Sequence, residues 1–180
     1  MKTRNTIKFG ILLAGMATIA TGSARAAALQ PPDSDTLVAG YQLIQFNLKE
    51  CMAITTGSGF VGNGSRIVSP NILNIAGKMC AESREFKPKL EALAKSKNFT
   101  LPDGLPTYLN ARANALYINQ NQNLGQQYLE DQISSHQDAV DIFQLEVQTG
   151  KDPDVKAGAS EVLPIMQANL ATLEKLRGTK

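Results

Sequence analysis

The chain has 180 residues, with 18 Lys plus Arg against 16 Asp plus Glu and a single histidine. Four of those bases and none of the acids fall in residues 1–26, which leaves 14 bases against 16 acids for the rest, so the basic balance belongs to the start of the chain. A nearly neutral body lacks the clustered Lys and Arg that displace counterions from phosphates, which excludes a nucleic-acid footprint, and the remaining length of about 154 residues suits one domain with one core.

The opening stretch, MKTRNTIKFGILLAGMATIATGSARA, has a basic start at Lys2, Arg4 and Lys8, an apolar run from Phe9 to Ala20 and a small-x-small end at Ala24, Arg25 and Ala26. This is the layout of a cleaved secretory signal and predicts a periplasmic or secreted mature domain over residues 27–180. The apolar run is about twelve residues, short of the roughly twenty that span a bilayer, so no transmembrane segment is expected after cleavage. No cysteine lies near the cleavage site to carry a lipid.

Beyond the leader, apolar residues recur at steps of three and four and period-two alternation is absent, the pattern of helices packed in a bundle. The first helix is predicted from Ser34 to Ile54, with Leu37, Tyr41, Ile44, Leu48 and Cys51 on one seam. It is followed by GSGFVGNG, which holds the spacing G-x-G-x-x-G in Gly57, Gly59 and Gly62, with Glu82 twenty residues after the third glycine. A dinucleotide loop must follow a strand and open directly into a helix. Here the preceding FNLKECMAI reads as helix and the next helix begins only at Pro70, so the glycines read as a helix-to-helix loop that permits positive φ.

Ser69 as N-cap and Pro70 at the first helical position announce the second helix, whose seam is Ile72, Ala76, Met79, Ser83, Phe86, Leu90 and Leu93. Glu85 with Lys89 and Glu91 with Lys95 are spaced to pair on a solvated face, and Lys95 and Lys97 suit the negative end of the helix. Pro88 predicts a kink or a break. The polar NFTLPDG leads to a short helix at Leu105 to Ile118 and the amide-rich run Asn119 to Asn123, read as a solvated loop. The next helix, Leu124 to Thr149, carries Leu129, Ile133, His136, Val140, Phe143 and Val147, and Gly150 stops it. Asp152 and Pro153 start the last helix, with Val155, Ala159, Val162, Met166, Asn169, Leu173 and Leu176 on its seam and Pro164 inside it. The sum is an all-α bundle of four long helices with a short one in the connection between the second and fourth. That connection is long enough to return along the bundle, so one crossover, as in ferritin-like folds, and plain up-and-down order both fit.

Cys51 and Cys80 are the only cysteines. In an exported protein they read most simply as a disulfide, with two buried thiols as the alternative. His136 sits on an apolar seam, and its helical neighbours Gln132, Ile133, Ala139 and Val140 supply no carboxylate, so the Glu-x-x-His pattern of bundle metal sites is missing and His136 is a weak metal candidate. Ser83, His136 and Asn169 occupy seam positions on three helices and predict a core polar cluster whose members satisfy one another or share a water. No nucleophile with its base, and no ligand set for a metal or cofactor, is spelled out. The chain reads as a non-enzyme without a cofactor.

The stretches IAGKMCAESREFKPKLEALAKSKNFTLP and YLEDQISSHQDAVDIFQLEVQTGKDPDVKAGASEVLPIMQANL carry a resemblance over roughly Asn71 to Leu176. With Tyr128, Leu129, His136, Asp152, Pro153, Leu163 and Pro164 as its most telling positions, this part resembles a bacterial exported family often called predicted outer membrane proteins. That family is a domain of unknown function, and the resemblance implies export and a ferritin-like four-helix bundle. The family commonly has histidines at the positions of Ser83, His136 and Asn169, of which this chain keeps His136 alone; Leu124 and Gly125 stand where the family usually has an aromatic residue and an acid. The expected function is an exported, non-enzymatic helical module that binds an envelope protein or a small molecule or serves in envelope stress. A ferritin-like metal-binding protein or oxidase centred on His136 and a structural envelope protein are the alternatives.

Overall fold

The computed structural model describes residues 28–57, 68–118 and 123–178. Among them every regular element is helical: α1 (Asp33–Gly57), α2 (Pro70–Ser96), α3 (Thr107–Ile118), α4 (Leu124–Thr149) and α5 (Pro153–Gly178). The predicted leader, the loop glycines Gly59 and Gly62, and residues 119–122 of the amide run lie outside the described residues. Gly57 is the last residue of α1.

The helix ends follow from local chemistry. Ser69 caps α2 by accepting from the Ile72 N–H at 3.4 Å, with Pro70 behind it. At the other end Asn98 takes the left-handed conformation with φ 51°, and the N–H groups of Asn98 and Phe99 return to the carbonyls of Lys95 and Ala94 at 3.0 and 2.9 Å. This is the double closure that satisfies orphan carbonyls, and Phe99 completes it by packing against the cluster of Leu37, Ala94 and Val155. Asp152 caps α5 by accepting from Asp154 and Val155 N–H groups at 3.0 and 3.2 Å. Both α2 and α5 continue through their internal prolines, so the break envisaged at Pro88 is not made. A proline inside a helix costs about 3 kcal/mol, and packing on both sides of it, from Met79 and Ser83 to Leu90 and Ala94, outweighs that cost.

Helix directions can be read from the contacts. Thr36 meets Glu146 and Glu50 meets Gln132, so α1 and α4 are antiparallel. Lys78 meets Asn169 and Lys97 meets Asp154, so α2 and α5 are antiparallel as well. α1 with α2, and α4 with α5, form two antiparallel hairpins, and the order of the four long helices is up, down, down, up. α3 makes the crossover. Its Leu109 packs with Phe46 and its Leu116 with Ala53 and Ile54, so it climbs alongside α1 to deliver the chain to the start of α4.

α1 therefore touches all four other helices, and its buried side is not the predicted seam. Leu37, Ile44 and Cys51 are buried as expected, but Tyr41 and Leu48 are only half-buried, while Phe46, Asn47 and Glu50 are shielded from solvent. On the predicted solvated face Lys89 does pair with Glu85 at 3.0 Å. Glu91, however, meets Lys87 at 3.8 Å rather than Lys95. Lys97 is not a solvated dipole partner; it reaches Asp152 and Asp154 at 2.9 and 2.6 Å and ties the end of α2 to the start of α5.

Cys51 and Cys80 form a disulfide between α1 and α2, with Cα atoms 6.0 Å apart and a sequence separation of 29. Closing a loop of that length is worth about 3 kcal/mol in the chain-entropy model. Reduction is expected to lower the unfolding free energy by about that amount with the helices retained, as measured by urea unfolding followed by circular dichroism with and without reductant. A loss under 0.5 kcal/mol would contradict it.

Candidate functional site

Between the two hairpins lies a cavity of about 140 Å³. Leu43 and Ile44 of α1, Met79 of α2, Phe143 of α4, and Val162 and Met166 of α5 give it an apolar wall. Gly40 lets α1 come close beside it: a Cβ there would fall 2.9 Å from Leu90 Cδ1 and 3.1 Å from Phe143 Cζ. The cavity has a polar end made by Asn47, Ser83, His136 and Asn169, with Glu82 beside them.

All three residues of the predicted polar cluster thus reach one cavity, and all three are buried. Of the two arrangements that the sequence allows, direct bonds among the three are not made, and a shared water is the other. Ser83 Oγ accepts from Asn47 Nδ2 at 3.3 Å. Asn169 accepts from Lys78 Nζ at 2.6 Å and donates to Glu82 Oε2 at 2.8 Å. His136 Nδ1 donates to the Gln132 carbonyl of its own helix at 2.9 Å. The physical reason is that each finds a nearer partner on its own or the adjacent helix, and the cavity keeps the three apart.

Burial holds the His136 imidazole at a pKa of about 4, against the opposing effect of its bond to the Gln132 carbonyl. It is therefore neutral at physiological pH. With Nδ1 donating, Nε2 carries the lone pair. No described residue bonds Nε2, and His136 forms part of the cavity wall. Asn47 Oδ1, on the α1 wall, is a second buried acceptor without a partner. Among the described residues no group of three His, Cys, Asp or Glu side chains is placed to hold a metal ion. Where a ligand from α5 would stand, Asn169 is occupied by the Lys78 ammonium.

One turn away lies a buried polar network that the seam pattern did not reveal. Glu50, fully buried, accepts from Gln132 Nε2 at 2.7 Å. Asp131 is held by Arg112 of α3, through Nε at 2.8 Å and through Nη2 to its backbone carbonyl at 3.1 Å. Arg112 also lies over the Phe46 ring at 5.6 Å. Burial first, and the neighbouring Asp131 charge second, push the Glu50 carboxyl well above the usual range. The two carboxyl groups are within hydrogen-bond contact, and one oxygen of each, Glu50 Oε1 and Asp131 Oδ2, has no other partner. A proton kept by Glu50 and donated to Asp131 accounts for both orphans.

A second carboxyl pair closes the opposite end of the α1–α4 interface. Asp33 Oδ1 accepts from the Lys151 and Asp152 N–H groups at 3.0 and 2.9 Å, pinning the α4–α5 turn. Glu146 stands behind it, accepting from Thr36 at 3.3 Å. Burial, reinforced by Asp33, raises the Glu146 pKa to about 7. A Cβ on Gly150 would overlap the Glu146 carboxyl, so glycine here makes room for the acid as well as stopping α4. Glu50 and Glu146 both lie on stripes at helical spacing, with Leu43, Phe46 and Ile54 and with Ala139 and Phe143, which is the sequence signal that would have found them.

A helical bundle with one long crossover and a cavity between its hairpins is the class that this fold and site define. Residues 65–176 match the family described as "Domain of unknown function (DUF4142)", and the chain belongs to that family. Among solved structures it is similar to the "Crystal structure of DUF305 fragment from Deinococcus radiodurans", with a TM-score of 0.68 and 15% identity over 84% of this chain and 99% of that one. At that identity the likeness bears on the fold alone. No curated protein matches the chain.

Proposed function

We propose that the protein is exported and works as a non-enzymatic binding module, holding a small molecule in the cavity between its hairpins. The observation that carries this is a neutral imidazole, with an unbonded Nε2, in the wall of an apolar cavity of about 140 Å³. A buried polar group without a partner costs about 1 to 3 kcal/mol, and a ligand that supplies the missing bond recovers that cost. Two features support export: the signal-like layout of residues 1–26 and the Cys51–Cys80 disulfide, a bond that persists in oxidising compartments. The single crossover supports a ferritin-like bundle, a class that builds its ligand sites between facing helices. No helix among the described residues is long and apolar enough to cross a membrane, and association with the envelope would run through a partner or ligand.

Two measurements test this. Intact mass of protein recovered from the exported fraction should place the N-terminus at Ala27 or Leu29, and retention of Met1 would overturn the export reading. Methyl NMR should show saturable shifts at Met79 and Met166, which line the cavity, on titration with phenol or toluene, while the exposed Met52 stays unmoved. Unmoved Met79 and Met166 with both molecules would overturn the binding site.

A further inference from the structure

We infer that the ligand is a neutral molecule about the size of benzene that carries one O–H or N–H donor, seated with its apolar body against Leu43, Met79, Phe143 and Met166 and its donor on His136 Nε2. This rests on the reading of the cavity as the binding site and adds the chemistry that selects among ligands.

Size comes first. An apolar cavity of roughly 150 Å³ takes up benzene, and this one, at about 140 Å³, has room for a molecule of that size. The polarity of the ligand follows from what its walls lack. The polar atom of the wall that the proposal uses, His136 Nε2, has no partner and is an acceptor, so the complementary group is a donor. Charge is excluded by the neighbours. An anion would lie beside Glu82 and Glu161, and Lys89, the lysine in the wall, is already paired with Glu85 and Glu161 at 3.0 and 3.8 Å. A cation would find both Glu82 oxygens taken, one by Lys78 at 2.7 Å and one by Asn169 at 2.8 Å. Burying either ion without a counter-charge is costly. The imidazole must be neutral to accept, and it stays so down to a pH of about 4.

Lys89 of α2 and Glu161 of α5 both line the cavity and face each other with side chains 38% and 44% exposed, and we take this seam as its mouth. A pair that exposed opens at little cost, so a small neutral molecule can enter without unfolding a helix.

The test is a titration of the mature protein with phenol, toluene and benzoate, three rings of similar size that differ in the donor and the charge. Phenol should bind about tenfold more tightly than toluene, the fold-change of one well-made buried hydrogen bond, and benzoate should not saturate. Phenol binding should persist at pH 5. In His136→Leu the preference for phenol over toluene should vanish while toluene still binds. His136→Gln, which keeps an acceptor at similar size, should retain part of it and serves if the leucine variant fails to fold. Equal affinity for phenol and toluene in the wild type would overturn the ligand class and leave the binding module standing. A phenol preference that survives in His136→Leu would overturn the role of His136. Absence of binding by both neutral rings would overturn the site itself.

Discussion

Replacing Arg112 by methionine is expected to cost the fold about 3 kcal/mol, a large effect for a residue on the crossover helix. Arg112 is the counter-charge of a network that also holds Glu50, and it grips Asp131 at 2.8 Å through its side chain and at 3.1 Å through its carbonyl. Removing one partner of a buried pair strands the other and typically costs about 3 to 5 kcal/mol. The Arg112 side chain is 30% exposed and Asp131 13%, so solvent screens part of the loss and places it at the low end. Methionine keeps much of the packing over Phe46, which separates the charge effect from a cavity. In the double variant Arg112→Met with Asp131→Asn, more than half of the loss should return, because the amide neither repels Glu50 nor needs a cation. Urea unfolding of the three proteins checks this. A single variant within 0.5 kcal/mol of wild type would show that the network does not depend on the guanidinium.

The second large effect is a pair of opposed pH dependences. Glu146 has a folded pKa of about 7 against an ordinary 4.5, so the folded state holds its proton more tightly. Its stabilisation is fully present below 4.5 and is lost as pH rises through 7, about 3 kcal/mol at 1.36 per unit. Glu50 is raised too and works in the same direction. His136, at about 4 against 6.5, behaves oppositely: its stabilisation is fully present above 6.5 and is lost as pH falls through 4, again about 3 kcal/mol. In the wild type the Glu146 and His136 effects offset each other between 4.5 and 6.5. Single variants should unmask them. Relative to wild type, Glu146→Gln should lose stability on acidification from pH 6.5, with Glu50 still opposing His136, and His136→Gln should strengthen over the same span. Unfolding free energies at pH 4.5, 5.5, 6.5 and 7.5 decide it, and slopes that shift from the wild-type slope in the same direction in both variants would refute the assignment.

How much of this was legible in the sequence depended on how many faces each helix buries. α4 runs from Leu124 to Thr149 as its periodicity predicts, and Ser69 with Pro70 starts α2 where the capping chemistry places it. α1 is the counter-example. Packed on by α2, α3, α4 and α5, it has no single stripe, and a seam drawn through Tyr41 and Leu48 passed beside Asn47 and Glu50. The candidate site was half legible. Ser83, His136 and Asn169 stand on three seams and meet at one cavity, because residues facing a common core converge. Their actual partners were not legible, since Lys78, Glu82 and the Gln132 carbonyl compete for them at close range. The acids were missed for a related reason. A carboxyl group reads as solvated until tertiary packing supplies a second carboxyl and a proton, and Glu50 with Asp131, 81 positions apart, meet only in the assembled bundle.

The two hairpins have unequal claims on their own integrity. One is stapled by Cys51–Cys80 and the other by the short turn around Gly150 that Asp33 of the first hairpin pins. The cavity belongs to neither. Asn47 and Ser83 come from the first hairpin, His136 and Asn169 from the second, so the cavity exists only while the halves are docked. Occupancy of the cavity is therefore a sensor of assembly rather than of helix content. In a variant whose halves part, binding is expected to be lost first, before circular dichroism reports the full loss of helicity.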